Sequence, residues 1–420
     1  MNPLWLYQIL TNAGTPLIDA LLQRRLSQGK EDVVRLAERR GVPGLTRPKG
    51  RLIWVHAASV GESQSSIALI KRLLVDRPDF HVLQTTGTLT SARLMRERLP
   101  ARSFHQFVPI DRLPWVKRFL DHWRPDLALW IESELWPNLV LETDRRNIPS
   151  VLVNARMSER SFRRWCKVPG TAHRLLRAFS LSIAQTEEQM RYLQQLGASP
   201  VKYLGNLKFS ASPLPVNRAD LEGISARVAG RPIWLAASTH PGEEKIAAAV
   251  HQRLALKWPD ILTIIVPRHP SRGEEVAKQL RGSNLSISRR SLGEAPSREI
   301  YLADTLGELG LFYRLAKVAF IGGSMSQHGG HNPLEAARLN CGVVLGPDME
   351  NFATVTSELV KAKGAIQVAS AEMVADSVAS LLHDEAERSR MVTMAANVAT
   401  HNSDAVERIH HEIIHLLETD

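Results

Sequence analysis

At 420 residues the chain exceeds one ordinary hydrophobic core, so two domains are the natural expectation. Its 44% hydrophobic and 23% charged content is that of a folded soluble protein, and its two cysteines, Cys166 and Cys341, exclude a disulfide framework or a cysteine-rich metal site. The net charge of +10 is lopsided: residues 1–205 carry 31 Lys and Arg against 18 Asp and Glu, whereas residues 206–420 carry 22 against 25. A basic first half points to an anionic partner, but no zinc-finger, helix-turn-helix or RNA-binding signature accompanies it, so nucleic acid is not expected.

The N-terminus opens with two apolar clusters. Leu4, Trp5, Leu6, Tyr7, Ile9 and Leu10 form the first, and Leu17, Ile18, Ala20, Leu21 and Leu22 the second. Gly14-Thr15-Pro16 separates them and Arg24-Arg25 follow. Neither approaches the roughly 20 apolar residues that span a bilayer, and a secretory signal is not expected without a leading basic region and cleavage site. Aromatic and apolar turns followed by arginines fit a segment lying in a membrane interface; an amphipathic helix packed on the first domain fits the same pattern.

Short apolar runs then alternate with helical patterns such as Ser63–Val75 and Leu113–Trp123. The runs lie at Leu52–His56, Val82–Thr85, Leu127–Ile131, Val151–Asn154, Leu181–Ala184 and Val201–Leu204. A proline-containing break at Ser210–Arg218 reads as a linker, after which runs recur at Ile233–Ala237, Leu262–Val266, Ile300–Leu302, Val318–Ile321 and Gly342–Leu345. This is the pattern of βαβ units and predicts an α/β protein of two Rossmann-like domains. The expected organisation is an N-terminal interface segment (1–30), a first domain (31–209), a linker (210–218) and a second domain (219–420). In such sheets ligands sit beyond the carboxyl ends of the strands.

The residues after the strands therefore deserve inspection. The first run ends in His56-Ala57-Ala58-Ser59-Val60-Gly61-Glu62. With Ser59 as N-cap, Glu62 stands at the third helical position, where it either closes a capping box or serves as a general base. A glutamate with an ordinary pKa of about 4.3 is ionised at neutral pH, and a helix N-terminus favours that form. Thr85-Thr86-Gly87-Thr88 could hold a sugar or carboxylate, or cap a helix. Glu132 and Glu134, in Glu132-Ser133-Glu134-Leu135-Trp136-Pro137-Asn138, pair carboxylates without a supporting histidine cluster. Asn154-Ala155-Arg156-Met157-Ser158 opens a basic stretch through Arg160, Arg163, Arg164 and Lys167. That stretch is either a solvated face or a site for an anionic acceptor. Lys208 precedes the linker and so falls near an interdomain cleft.

In the second half, Ser238-Thr239-His240-Pro241-Gly242-Glu243-Glu244 reads as a phosphate-facing helix start, and Arg268 could pair with a phosphate. The densest signal is Gly322–Ala337, where glycine pairs 322–323 and 329–330 precede Asn332-Pro333-Leu334-Glu335. Close backbone approach and a helix start with Asn332 as N-cap predict a docking site for a phosphate-bearing ligand; a plain capping box with Glu335 is the alternative.

As a set, HAASVGE (His56–Glu62), TTGT (Thr85–Thr88), ESELWPN (Glu132–Asn138), NARMSERS (Asn154–Ser161), GNLKF (Gly205–Phe209), ASTHPGEE (Ala237–Glu244), PRHP (Pro267–Pro270) and GGHNPLEAA (Gly329–Ala337) resemble the 3-deoxy-D-manno-octulosonic acid (Kdo) transferases of lipopolysaccharide assembly, over residues 50–355. The resemblance implies a GT-B architecture, two Rossmann-like domains facing a cleft. It also implies an inverting transfer from CMP-Kdo without metal or other cofactor, to the phosphorylated lipid A precursor at the cytoplasmic face of the bacterial inner membrane. The protein would be peripheral or monotopic on that anionic surface. By the same resemblance Glu62 is the catalytic base. The CMP moiety lies near Ser238, Arg268, Gly330, Asn332, Glu335 and Lys208, and the acceptor near Thr86, Glu132 and Arg156. Met325–His328 depart from the family's usual loop, where a proline is common. Another nucleotide-sugar enzyme of this architecture, acting on a UDP-sugar as a lipid glycosyltransferase or 2-epimerase, and a non-catalytic module for anionic lipid are the alternatives.

Overall fold

The computed structural model describes residues 3–132, 135–210, 213–401 and 404–418, and the chain divides into two compact units, residues 1–211 with 402–420, and residues 212–401. Ser133 and Glu134, half of the expected carboxylate pair, lie outside the described residues, as do Ala211 and Ser212 of the expected linker.

Unit 1 is built on a parallel sheet of β1 (Arg51–His56), β2 (Phe80–Thr86), β3 (Ser103–Phe107), β4 (Leu127–Ile131), β5 (Ser150–Ala155), β6 (Leu181–Ala184) and β7 (Val201–Tyr203), in the order β3-β2-β1-β4-β5-β6-β7. The strand order reverses between β1 and β4, whose registers pair Ile53 with Leu127 and His56 with Trp130. Both faces are covered. On one, Trp54, Trp123 and Trp130 pack with Phe119 and Leu152; on the other, Ile53, Val55, Leu129 and Val153 pack with Ile70 and Leu73 of the helix Val60–Asp76. Full burial on both faces is why these strands read as unbroken apolar runs.

Unit 2 repeats the plan with β8 (Ile233–Thr239), β9 (Leu262–Pro267), β10 (Ile287–Arg289), β11 (Ile300–Leu302), β12 (Val318–Ile321), β13 (Gly342–Leu345) and β14 (Ile366–Gln367). These are all parallel, in the order β10-β11-β9-β8-β12-β13-β14. Here the order reverses between β8 and β12.

The expected second domain, 219–420, needs correction at its far end. The helix Ala405–Glu418 belongs to unit 1, where Val406, Ile409, Ile413 and Leu417 enter the core beside β1 and the helix Val60–Asp76. Its apolar residues recur at helical spacing, so the sequence gives the buried stripe but not the sheet it covers. Lys202 pairs with Glu412 at 2.6 Å, and Arg408 Nε donates to the Leu204 carbonyl at 3.0 Å.

The N-terminal segment divides by face. In the helix Pro3–Ala13, Leu4 packs against the first core, Tyr7 Oη donates to Asp111 Oδ2 at 2.9 Å, and Asn138 Nδ2 reaches Thr11 Oγ1 at 3.5 Å. In the helix Thr15–Ser27, Leu22 is buried and Asp19 pairs with Arg40 at 2.8 Å. Trp5, Leu6, Ile9, Leu10, Leu17 and Leu21 remain exposed. The two readings of this segment are thus two faces of the same helices: one docked, one apolar and outward. No helix among the described residues is long and apolar enough to cross a membrane.

Ile413→Ala should lower the stability of unit 1 by about 2–5 kcal/mol, the usual cost of a large-to-small change in a core. Hydrogen exchange provides the check: protection should fall along β1 and stay unchanged along β8. Loss of protection in β8 alone would assign the C-terminal helix to the other core.

Candidate active site

In unit 1 the reversal between β1 and β4 brings together loops that are distant in sequence. After β1, Ser59 caps the helix Val60–Asp76 by accepting from the Glu62 N–H at 3.3 Å, while Glu62 Oε2 accepts from the Ala58 N–H at 2.8 Å. The capping arrangement is therefore real. It also fixes the carboxylate of a half-exposed residue at the carboxyl end of β1, the edge of the sheet where ligands of such folds sit.

Immediately after β4, Glu132 has a left-handed backbone (φ 64°) and is almost wholly buried. Its Oε1 lies 2.8 Å from Lys208 Nζ, and both side chains are about nine-tenths buried. Glu132 and Lys208, expected on opposite substrates, are thus partners in one unit. Removing either would leave an uncompensated buried charge, which is why such pairs hold geometry strongly once formed. Asn154, also at positive φ, accepts from the Leu207 N–H through Oδ1 at 3.1 Å and so fastens the Lys208 loop to the end of β5.

Thr86 behaves differently from the expectation. Its side chain is fully buried and its hydroxyl meets His105 Nε2 at 2.8 Å, so it organises the β2–β3 edge and has no exposed surface to offer an acceptor. Burial and the neighbouring Arg35, Arg39 and Arg96 push His105 down to about 3, which keeps this ring neutral. Thr88 caps the helix Leu89–Arg98, the plain reading of that turn.

Arg156 follows β5 and is half-buried, whereas Arg160, Arg163, Arg164 and Lys167 are exposed on or just beyond the helix Glu159–Trp165. Most of the basic stretch is therefore a solvated face, with Arg156 as its inward member. Arg156 and Glu132 share a pocket of about 340 Å³.

In unit 2 the expected donor residues gather at the carboxyl ends of β8, β9 and β12. A bulge between β8 and β9 turns Ser238 into the left-handed region (φ 58°), half-exposed between buried Ala237 and Thr239. Bulges at such positions re-aim side chains. Arg268 follows β9, its N–H bonded to the Thr239 carbonyl at 2.9 Å. Burial lowers its affinity for the proton and the negative charge of Glu335 opposes that shift; Arg338 responds to the same two influences. Asn332 Oδ1 accepts from the Leu334 N–H at 3.1 Å, but the regular helix spans only Leu334–Ala337 and its N-cap is Pro333, one residue later than expected.

The glycine loop carries the main surprise. The N–H groups of its glycines are already engaged: Gly322 with the Ala237 carbonyl at 2.7 Å, Gly329 with Asp348 Oδ2 at 2.8 Å, and Gly330 with the Gly323 carbonyl at 3.0 Å. The Gly323 and Met325 N–H groups donate to Glu243, at 2.7 and 3.0 Å, and the same carboxylate accepts from the His240 N–H at 2.9 Å. The first part of the loop thus wraps an internal carboxylate. Its glycines are required by close packing: a Cβ on Gly322 would stand 2.5 Å from the Ser238 carbonyl oxygen, and Gly330 has φ 68° against the Met349 side chain.

Sequence reasoning also missed four histidines. His240 and His331 touch through their Nε2 atoms at 2.9 Å, His240 stacks on His328 with ring centroids 4.0 Å apart, and His269 stands edge-on at 6.2 Å. Burial, reinforced by Arg268 and the other rings, pushes His331 down to about 3; burial with the same neighbours and Arg272 brings His240 to about 4. Both are neutral at physiological pH, so one ring donates and the other accepts in their contact. The signal was present only as isolated histidines, His240, His269 and His331 in three separate motifs and His328 just before the last of them. Among the described residues no group of His, Cys, Asp or Glu side chains is arranged to hold a metal ion.

The sequence matches a known group of enzymes. A family model described as 3-deoxy-D-manno-octulosonic-acid transferase matches residues 34–211. The 3-deoxy-D-manno-octulosonic acid transferase of Rickettsia bellii is 37% identical over 380 residues, 90% of each chain. The chain belongs to this family. The Haemophilus influenzae transferase is 36% identical over 386 residues, covering 89% of this chain and 90% of the relative. Among solved structures, the S. aureus MnaA–UDP co-structure superposes with a TM-score of 0.61 at 17% identity, over 88% of this chain and 97% of that one, a likeness of fold alone. The architecture is GT-B, and the family makes the chain a glycosyltransferase.

Glu243→Ala should destabilise unit 2 by about 2–5 kcal/mol, because three N–H groups lose one shared acceptor. Glu243→Gln, which keeps an amide oxygen, should recover part of it. Denaturant unfolding of the three proteins makes the comparison; equal midpoints would show that the carboxylate does not hold the loop.

Proposed function

We propose that the protein moves Kdo from CMP-Kdo to the phosphorylated lipid A precursor, lipid IVA, in lipopolysaccharide assembly, with inversion at the anomeric carbon. Family membership over nine-tenths of the chain carries this reading. The arrangement at the end of β1 supplies its chemistry. Glu62, held by the Ala58 N–H, accepts the proton of the acceptor hydroxyl as that oxygen attacks the anomeric carbon. The bond to the phosphate oxygen of cytidylate breaks as the new glycosidic bond forms. Negative charge then grows on the leaving phosphate, and Arg268 beside Ser238 and Asn332 offers it a cation and hydrogen-bond donors without a metal. Gly330 and Glu335 keep that end of β12 shaped for the nucleotide, Glu335 through its charge opposite Arg268 and Arg338.

The acceptor is anionic and lies in a membrane. The exposed apolar face of the first two helices, with Arg24 and Arg25 beyond it, supports a peripheral position at the cytoplasmic face of the inner membrane. The basic balance of residues 1–205 supports the same placement.

Mass analysis of the product formed from CMP-Kdo and lipid IVA tests the reaction; product from UDP-sugars instead would replace it. Glu62→Gln should keep the fold and CMP binding while turnover drops roughly a hundredfold or more. Near-normal turnover with a lowered melting temperature would reduce Glu62 to a cap.

The donor assignment has its own check. Arg268→Ala should weaken CMP binding by about 1.5–3 kcal/mol, the usual size of a charge-assisted hydrogen bond. Calorimetry giving unchanged affinity would remove Arg268 from the site.

A further inference from the structure

The pocket shared by Glu132 and Arg156 lies wholly in unit 1 and has a lining of unusual balance. Seven of the ten described residues that line it are apolar: Leu135, Trp136, Leu152, Ala155, Met157, Trp165 and Leu193. The three polar members are Glu132, Arg156 and Ser161. Glu132 already answers Lys208 at 2.8 Å, so it makes little further polar demand. A sugar ring needs hydrogen-bonding groups converging from several sides, and the described lining residues are mostly apolar. It suits a hydrocarbon chain.

The walls come from separate elements held to one another. Leu152 and Ala155 are the floor at the end of β5, Trp165 ends the helix Glu159–Trp165, and Leu193 projects from the helix Glu187–Gln195. Phe162 and Tyr192 stack at 4.4 Å between these two helices, which fixes the spacing of the walls. Trp136 stands at the entrance, 42% exposed. One cation, Arg156, stands in the lining, and Arg160, Arg164 and Lys167 are exposed along the segment that follows it. Apolar walls with an arginine among them complement one kind of occupant, a chain carrying an anionic head.

We infer that this pocket receives an acyl chain of the acceptor, with Arg156 beside the anionic group from which the chain extends. The inference rests on the acceptor reading given above. Its position supports it, because Glu132 is both a wall of the pocket and the residue that follows β4, next to the strand that ends in the Glu62 turn. A chain anchored here holds the acceptor head near that carboxylate. Binding energy collected away from the reacting hydroxyl then serves to orient it.

Calorimetry with alkyl phosphates from hexyl to dodecyl, each below its micelle concentration, tests the pocket without any transfer reaction. Affinity should rise roughly fourfold per added methylene, the worth of burying one such group, and level off when the chain outgrows the pocket. Trp165→Ala should flatten that rise and Trp165→Phe should restore it, whereas Arg156→Ala should weaken every chain length by a similar factor, about tenfold or more. Affinity independent of chain length, or a slope untouched by Trp165→Ala, would overturn the pocket. A transfer assay supplies the second arm: fully deacylated acceptor should show a raised KM in the wild type and a smaller rise in Trp165→Ala. An unchanged KM would overturn the assignment of the chain to the acceptor while leaving Kdo transfer standing. Absence of transfer to any acceptor would instead overturn the functional reading, and the alkyl phosphate series would still report on the pocket.

Discussion

Every strand pairing in both sheets is parallel, and the candidate site depends on that constraint. Parallel strands place all their carboxyl ends on one edge, so each turn into a helix emerges beside the others. The turn after β1 lies beside that after β4, and the turn after β8 beside that after β12, although 75 and 82 residues separate the strand ends of the two pairs in the chain. Crowding turns together also crowds their backbone N–H groups, which cannot be left buried without acceptors.

The chain answers this need with its own carboxylates. Glu243 takes three N–H groups around the glycine loop, Asp111 takes those of Asn138 and Leu139 together with the Tyr7 hydroxyl, Glu62 takes that of Ala58, and Glu38 takes that of Phe107. Burial holds the Asp111 carboxyl above the ordinary carboxylate range, while the two N–H groups and Tyr7 pull the other way. Charged acceptors make stronger hydrogen bonds than carbonyls do, and each can gather donors from several segments. The residues proposed to face the substrates, Ser238, Arg268 and Arg156, stand at the same strand ends as these fastened turns.

The interior of each sheet was legible because burial on both faces writes continuous apolar runs. The strands that escaped notice, β3, β10 and β14, all lie at sheet edges, where SFHQF, ISR and IQ mix polar and apolar residues. Motif chemistry was legible to the level of which residues cluster. What filled each cluster was not, since Glu243 lies 80 residues before Gly323 and only the fold brings them to 2.7 Å. The Glu132–Lys208 pair and the four histidines were hidden for the same reason. The glycine pairs announced a close approach correctly, but one made by neighbouring backbone and a native carboxylate.

The C-terminal helix has a consequence for synthesis. Val406, Ile409, Ile413 and Leu417 close a core whose other walls lie within the first 210 residues. At roughly 5–20 residues per second, the intervening stretch 212–401 takes on the order of 10–40 s to translate. Throughout that interval the leading sheet sits outside the ribosome with one apolar surface uncovered. It must wait for the last segment to emerge, with chaperones the natural cover for the gap, and a nascent chain arrested anywhere before residue 405 exposes an incomplete first domain.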